Sequence, residues 1–228
     1  MKKAGEKESA RAENIILCEG ADDEAFIVRY LEFLKKNNQD MQFQVMQFGG
    51  KNALSRHVKN FHLIPNVQIV KSIVILRDAD NDYGNAEKSI TGALKQAGYA
   101  TPGSLCEIAI PEGDDRPQRT AYGLFPGITS VESGTLEDLC LKILRKPSET
   151  LMDIARESIN SVQAASNRQV DLRLKACSKN KFHTYLSLTN EYVGCRIGMA
   201  AERNAYDFAS PVLEPLRKLL FNIAKEYE

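Results

Sequence analysis

Between residues 14 and 127, apolar residues occur in two patterns that alternate along the chain. Short, continuous apolar runs predict buried strands, and they lie at 14–18, 43–48, 72–78, 106–111 and 121–127. Residues 22–36 and 83–98 instead carry apolar side chains at helical spacing, and residues 49–61 combine a glycine turn with a short helical pattern. Strands that alternate with helices in this way predict an α/β fold, with a mostly parallel sheet covered by helices on both faces.

The pattern changes after residue 132. The apolar segments beyond it, such as TLEDLCLKIL and PVLEPLRKLLFNIAKEY, are helical in spacing. We therefore predict a flexible N-terminus at 1–13, an α/β core at 14–132, and a helical part at 133–228 that completes the core or packs on it.

Composition limits the protein classes and cellular locations to be considered. The chain has 228 residues with 30 basic and 30 acidic side chains, so it lacks the overall basic charge that is typical of non-specific nucleic-acid binders. Its five cysteines are scattered and include no CxxC pair, which argues against a zinc site or a disulfide framework. The sequence shows neither a signal peptide nor an apolar run of the ~18 residues that a membrane span needs. We expect a cytoplasmic protein that does not associate with membranes, and the oligomeric state stays open.

Carboxylates follow two of the predicted strands. Glu19 comes directly after the first strand, and Asp78 and Asp80 come at the end of the strand at 72–78. Residues two apart in an extended chain point the same way, so Asp78, Asp80 and Asp82 are expected to converge. Ligands of open α/β sheets bind at the carboxyl ends of the strands, and Glu19 would join this cluster if the two strands are neighbours. Oxygen ligands alone favour Mg²⁺ or Mn²⁺.

Acids after a strand can also cap a helix or bind calcium. For Asp22, a helix cap is favoured over a ligand. A calcium loop of the EF-hand type is excluded, because its sixth and twelfth positions would be Tyr83 and Ser89 instead of Gly and Glu. The chain also contains no nucleotide-binding G-x-x-x-x-G-K-[ST] motif.

The motifs CEGADD at 18–23 and LRDAD at 76–80 together resemble the Toprim domain of topoisomerases, primases and OLD nucleases. The resemblance covers roughly residues 14–190 and is greatest to the standalone, OLD-like Toprim proteins. It implies that Glu19, Asp23, Asp78 and Asp80 bind metal.

Two later segments extend this resemblance. SGTLEDLCL resembles the Gly-x-x-Glu segment of OLD-like proteins, which implies that Glu137 is a further metal ligand and Asp138 a weaker candidate. KNKFHTYLSL resembles their lysine-bearing segment, in which Lys181 is the best match to the functional lysine, ahead of Lys179 and Lys175.

The chemistry implied is metal-dependent hydrolysis of a nucleic-acid phosphodiester. Two Mg²⁺ or Mn²⁺ ions would flank the phosphate, with Glu19 and Lys181 as catalytic residues. Gly20 would let a phosphate approach the backbone, and Lys51 would contact the substrate, although a surface turn is the favoured interpretation of GGKN at 49–52. The resemblance also implies DNA or RNA as a partner, and a separate ATPase in phage defence. A non-catalytic binding scaffold and nucleotidyl transfer remain as alternatives.

Overall fold

The fold is centred on a sheet of four parallel strands. The structure is a computed structural model that describes residues 9–37, 41–113, 115–128, 130–145, 153–161, 164 and 178–225. The strands run in the spatial order β2-β1-β3-β4, and they are β1 (Asn14–Cys18), β2 (Phe43–Gln47), β3 (Ser72–Asp78) and β4 (Arg119–Phe125). All three neighbouring pairs are parallel, so the carboxyl ends of the strands meet at one edge of the sheet.

Helices connect and follow these strands. They are α1 (Ala21–Lys36), α2 (Leu54–Asn60), α3 (Tyr83–Gln96), α4 (Leu136–Lys142), α5 (Ser178–Leu188), α6 (Ile197–Glu202) and α7 (Glu214–Ala224). Residues 153–161 are also helical. The predicted fold class is confirmed: a mostly parallel α/β sheet is covered by helices and followed by a helical C-terminal part.

Both faces of the sheet are buried because the side chains of each strand alternate between them. On β3, Val74 and Leu76 pack in one apolar cluster with Phe26 of α1. Ile73 and Ile75 belong to a second cluster, on the opposite face, which includes residues of α2 and α3. The continuous apolar run of β3 is the sequence signature of a strand that is covered on both sides.

The C-terminal helices join the cluster on the α1 face. Leu139 of α4, Phe182 of α5 and Leu216 of α7 are all buried in it. Helix α6 lies so close to α1 that a β-carbon added to Gly198 would come within 2.4 Å of the Ala25 side chain. The helical part after residue 132 therefore packs on the same core as the sheet.

The predicted strand at 106–111 is wrong. Cys106 has a φ of 58°, which interrupts an extended chain, and Ala109 makes a single antiparallel bridge to Thr120. Ile110 is 63% exposed, so the segment passes over the edge of the sheet and is not buried within it. The sequence also predicts helices at SETLMDIARESINSVQAA (148–165) and DLRLKACS (171–178). Residues 148–152, 162–163, 165 and 171–177 of these segments lie outside the described residues, as does Lys175.

The connections place a crevice between β1 and β3. From β1 the chain passes through α1 to β2 on one side, and then through α2 to β3 on the other side. The strand order reverses at this point, which is where open α/β sheets bind their ligands.

Candidate functional site

A cleft of about 320 Å³ opens at the carboxyl ends of β1 and β3. Five of the residues singled out from the sequence as site residues line it: Glu19, Gly20, Asp23, Asp78 and Glu137. Asp22 and Lys179 also line it. The structure thus brings together acids that are separated by more than a hundred residues in the chain.

Asp78 projects from the end of β3 towards the start of α4. Its Oδ1 accepts a hydrogen bond of 2.8 Å from the Leu136 N–H. Burial raises the pKa of Asp78 to about 8, and the nearby charge of Asp23 adds to this effect. A buried carboxyl among other carboxylates favours a proton or a cation, because either one relieves both the desolvation and the repulsion.

Asp23 lies in the first turn of α1. Its side chain accepts a 3.1 Å hydrogen bond from the Gly20 N–H and so forms the capping box that begins the helix. Burial raises the pKa of Asp23 to about 6, against the effect of backbone hydrogen bonds and with a contribution from the charge of Glu19. The capping role expected of Asp22 therefore belongs to Asp23, which faces the cleft at the same time.

Glu137 is the second residue of α4 and is 4% exposed. Its Oε1 lies 3.5 Å from the Nζ atom of Lys179, and the charge of Glu137 is the main cause of a raised Lys179 pKa. The neighbouring Asp138 accepts a 2.8 Å hydrogen bond from the Thr135 N–H in a capping box. Asp138 is thereby committed to the helix start, and Glu137 is the acid that α4 presents to the cleft.

Glu19 is held by the loop that follows β2. Its carbonyl oxygen accepts hydrogen bonds from the Gly49 N–H at 3.2 Å and the Gly50 N–H at 3.0 Å. Its Oε1 accepts a 3.1 Å bond from the Lys51 N–H. Gly49 and Gly50 have φ values of 86° and 91°, a region in which residues other than glycine are strained. The GGKN segment therefore helps to position Glu19 in the cleft.

The second oxygen of Glu19 has no hydrogen-bond donor among the described residues. Oε2 is buried, and its nearest charged partner in this part of the chain is Nε of Arg77 at 3.9 Å. A buried carboxylate oxygen without a donor is costly, and a bound cation would remove that cost.

Asp80 and Asp82 turn away from the cleft. Asp80 has a φ of 54°, which ends the extended chain after β3 and abolishes the expected alternation. Its Oδ2 lies 3.5 Å from Nη2 of Arg77 and 3.6 Å from Nζ of Lys51. Asp82 is the N-cap of α3 and accepts a 3.0 Å hydrogen bond from the Asn85 N–H. The three aspartates therefore do not converge.

Among the described residues, the lysine that lines the cleft is Lys179. Lys181 lies two residues further along α5, which turns its side chain about 200° around the helix axis. The structure places Lys179, and not Lys181, among the residues that line the cleft. From the sequence, Lys179 was a neighbouring alternative, and helical spacing alone does not say which of the two faces the sheet.

The donor chemistry fits Mg²⁺ or Mn²⁺, which prefer oxygen ligands. No described residue donates to Oε2 of Glu19, and burial raises the pKa values of Asp23 and Asp78, so a bound cation would stabilise these carboxylates. Among the residues that the structure describes, no three acidic, histidine or cysteine side chains already converge closely enough to hold one ion. These carboxylates would have to turn towards one another to bind a metal.

Comparison with known families identifies the chain. A family model with the description "Protein of unknown function (DUF3226)" matches residues 13–224. The chain belongs to this family. The match spans the sheet, the cleft and the C-terminal helices of this chain. No curated protein matches the chain.

Solved structures similar to this DUF3226 protein come from OLD proteins. The C-terminal region of the Burkholderia pseudomallei OLD protein is 17% identical, with 94% of this chain and 99% of that chain covered and a TM-score of 0.46. The C-terminal region of the Xanthomonas campestris pv. campestris OLD protein is 15% identical, with 93% and 97% covered and a TM-score of 0.44. Likenesses at these TM-scores assign no function to the chain.

Within the described ranges, no helix has both the length and the apolar character that crossing a membrane demands.

Proposed function

We propose that this protein is a Mg²⁺- or Mn²⁺-dependent nuclease that hydrolyses phosphodiester bonds of DNA or RNA. One observation carries the proposal: Asp23, Asp78 and Glu137 line a single cleft at the carboxyl ends of the parallel strands, next to a glutamate oxygen to which no described residue donates a hydrogen bond. The resemblance of CEGADD and LRDAD to the Toprim motifs supports the same chemistry.

The acids of the cleft would bind the metal ion, and its lysine would stabilise the reacting phosphate. Asp23, Asp78 and Glu137 would hold the divalent ion, with Glu19 beside them at the edge of the cleft. A bound ion polarises the phosphate and lowers the pKa of a water molecule, so that hydroxide becomes available near neutral pH. Lys179 can offset the negative charge that develops on the phosphate oxygens, because its ammonium group already faces the acidic cleft.

The start of α1 favours the same ligand. Gly20 and Ala21 line the cleft at the N-terminus of this sixteen-residue helix. The positive end of a helix dipole stabilises a phosphate group. A β-carbon at Gly20 would meet nothing closer than Asp23 Oδ2 at 3.6 Å, so Gly20 is not required for packing within the chain itself. Its proposed benefit is the close approach of a phosphate.

A non-catalytic scaffold is the second candidate. It is favoured by the spread of the acids, no three of which within the described residues yet converge on one point. A scaffold of this kind would bind nucleic acid or an ATPase partner without hydrolysing a phosphodiester. The ATPase partner is a prediction from the motif resemblance.

The two candidates are separated by a cleavage assay. Plasmid DNA, single-stranded DNA and RNA are incubated with the protein and Mn²⁺ or Mg²⁺, and the same samples are tested for metal binding by titration calorimetry. The matched variants are Asp78→Asn, which alters the cleft, and Asp82→Asn, which alters the cap of α3.

The nuclease proposal expects metal-dependent cleavage that Asp78→Asn abolishes and Asp82→Asn retains. Nucleic-acid binding with no cleavage of any of the three substrates, in a protein that binds no divalent ion, would instead establish the scaffold.

A further inference from the structure

A buried arginine lies behind the acidic cleft. Arg77 is 3% exposed, and its guanidinium group lies between two of the predicted metal ligands. Nε is 3.9 Å from Oε2 of Glu19, and Nη2 is 3.5 Å from Oδ2 of Asp80. Nε also donates a 3.2 Å hydrogen bond to the Asp78 carbonyl oxygen, which fixes the base of the guanidinium group to the end of β3.

The alternation of β3 separates Arg77 from the carboxylate of Asp78. Consecutive residues of a strand face opposite sides of the sheet. Asp78 bonds to Leu136 at the start of α4, on the α1 side. Arg77 donates to the Ser89 hydroxyl of α3, on the other side, at 3.4 Å. The two side chains therefore serve opposite sides of the same strand end.

The acids consequently fall into two groups. Glu19 and Asp80 have Arg77 as a shared cation, and Asp80 has Lys51 in addition at 3.6 Å. Asp23 and Asp78 are held by backbone N–H groups of Gly20 and Leu136, and within the described ranges no lysine, arginine or histidine pairs with either of them. Glu19 and Asp80 thus share a buried guanidinium, whereas Asp23 and Asp78 would obtain positive charge from a ligand.

We propose that Arg77 is a positioning residue that takes the place of a second metal ion. It holds Asp80 out of the cleft and keeps Glu19 at the boundary, so that the site binds one divalent ion, through Asp23, Asp78 and Glu137. A guanidinium suits this role because it stays charged at every accessible pH and presents several donors in a fixed plane. The inference rests on the proposed function, since it concerns the metal that the nuclease would use.

The test is the number of Mn²⁺ ions bound per chain. Titration calorimetry and electron paramagnetic resonance of Mn²⁺ are carried out with wild type, Asp78→Asn, Asp80→Asn and Arg77→Gln, without nucleic acid. We expect one ion in wild type and an affinity that falls by at least about tenfold in Asp78→Asn. In Asp80→Asn the affinity stays within about threefold of wild type, since only a distant, screened charge is lost.

Arg77→Gln distinguishes a positioning role of Arg77 from a purely structural one. Without the guanidinium, Glu19 and Asp80 become available as ligands, and we expect a second Mn²⁺ to bind. A purely structural role for Arg77 would weaken folding without adding an ion. If Arg77→Gln does not fold, the comparison of Asp80→Asn with Asp78→Asn decides alone.

Three outcomes would each overturn this inference while leaving the nuclease proposal intact. They are two Mn²⁺ ions bound to wild type, equal losses of Mn²⁺ affinity in Asp80→Asn and Asp78→Asn, and a folded Arg77→Gln that still binds one ion. A wild-type protein that binds no Mn²⁺ at millimolar concentration would overturn both.

Discussion

Replacing Asp78 by Asn is expected to stabilise the metal-free protein. Burial and the charges of Asp23, Glu137 and Glu19 raise the pKa of Asp78 to about 8. Asparagine has nearly the same shape but carries no charge, so it removes both the desolvation and the repulsion. Its side-chain oxygen can still accept the hydrogen bond that the Leu136 N–H donates to Asp78.

The size of the effect depends on pH. Asp78 titrates near 3.8 in the unfolded chain and near 8 in the folded protein, so between these values the folded state binds a proton that the unfolded state does not. Stability is therefore highest below the unfolded pKa and falls as the pH rises towards 8. At about 1.4 kcal/mol per pKa unit, the penalty is roughly 4 kcal/mol at pH 7 and roughly 2 kcal/mol at pH 5.

Asparagine recovers only part of this penalty. Its amide N–H group adds a donor to the cleft, and a buried donor without a partner costs about 1–3 kcal/mol. We expect a net gain of about 2 kcal/mol at pH 7, or roughly 4–8 °C in melting temperature for a chain of this size. Near pH 5 the two terms cancel and the difference should disappear.

The assay is thermal unfolding of wild type and Asp78→Asn in EDTA at several values between about pH 5 and pH 8. Asp82→Asn is the matched control, because Asp82 caps α3 and asparagine caps a helix nearly as well. We expect that control to stay within about 0.5 kcal/mol of wild type throughout. A lower melting temperature for Asp78→Asn, or a gain that does not grow with pH, would refute the repulsion argument and assign Asp78 a structural role.

Three further predictions concern the cleft and the helices around it. Lys179→Ala should lower metal-dependent cleavage by about 10²-fold or more, whereas Lys181→Ala should leave it within a few-fold of wild type, in a single-turnover assay; equal losses would contradict the placement of Lys179. In urea unfolding, Gly198→Ala should destabilise the protein by about 2 kcal/mol or more, because the added β-carbon would meet the Ala25 side chain at 2.4 Å. Gly92→Ala should instead stabilise the protein by about 0.5–1 kcal/mol, because its β-carbon would have no atom within 4 Å and alanine favours the helix. Mn²⁺ at about a hundredfold excess over its dissociation constant should raise the unfolding free energy by ~2.7 kcal/mol in wild type and by much less in Asp78→Asn; an equal rise in both would place the ion elsewhere.

The sheet was predictable because its signal is local. The segments NIILC and SIVILRD are short, apolar and bounded by polar residues, and β1 and β3 occupy the predicted residues. Residues 106–111 have a similar composition, yet Cys106 adopts a φ of 58° and the segment crosses the sheet edge. That backbone conformation depends on tertiary contacts, such as the 2.9 Å bond from the Cys106 N–H to the Tyr122 carbonyl oxygen, which hydrophobic spacing does not contain.

The candidate site was predictable only in part, for a similar reason. Glu19 and Asp78 could be placed together because neighbouring parallel strands end at the same edge of a sheet. The turn of Asp80 towards Arg77 could not be predicted, because it follows from the left-handed backbone conformation of Asp80 itself. A sharper signal was present in Arg77, a charged residue inside an otherwise apolar strand, because such a residue is buried only where acids surround it.

The attachment of α1 has a consequence for how the protein acquires its site. The Tyr30 hydroxyl of α1 donates to the Leu213 carbonyl oxygen at 3.3 Å, and the Phe26 ring contacts the ring of Tyr206 at 5.9 Å between centroids. The helix that carries Asp23 is thus completed by residues about 180 positions later in the chain. Contacts of such long sequence separation form slowly, because a long loop has to close first. During synthesis, α1 can make these contacts only after residues 206–213 have left the ribosome, so the strands can emerge well before the cleft is completed.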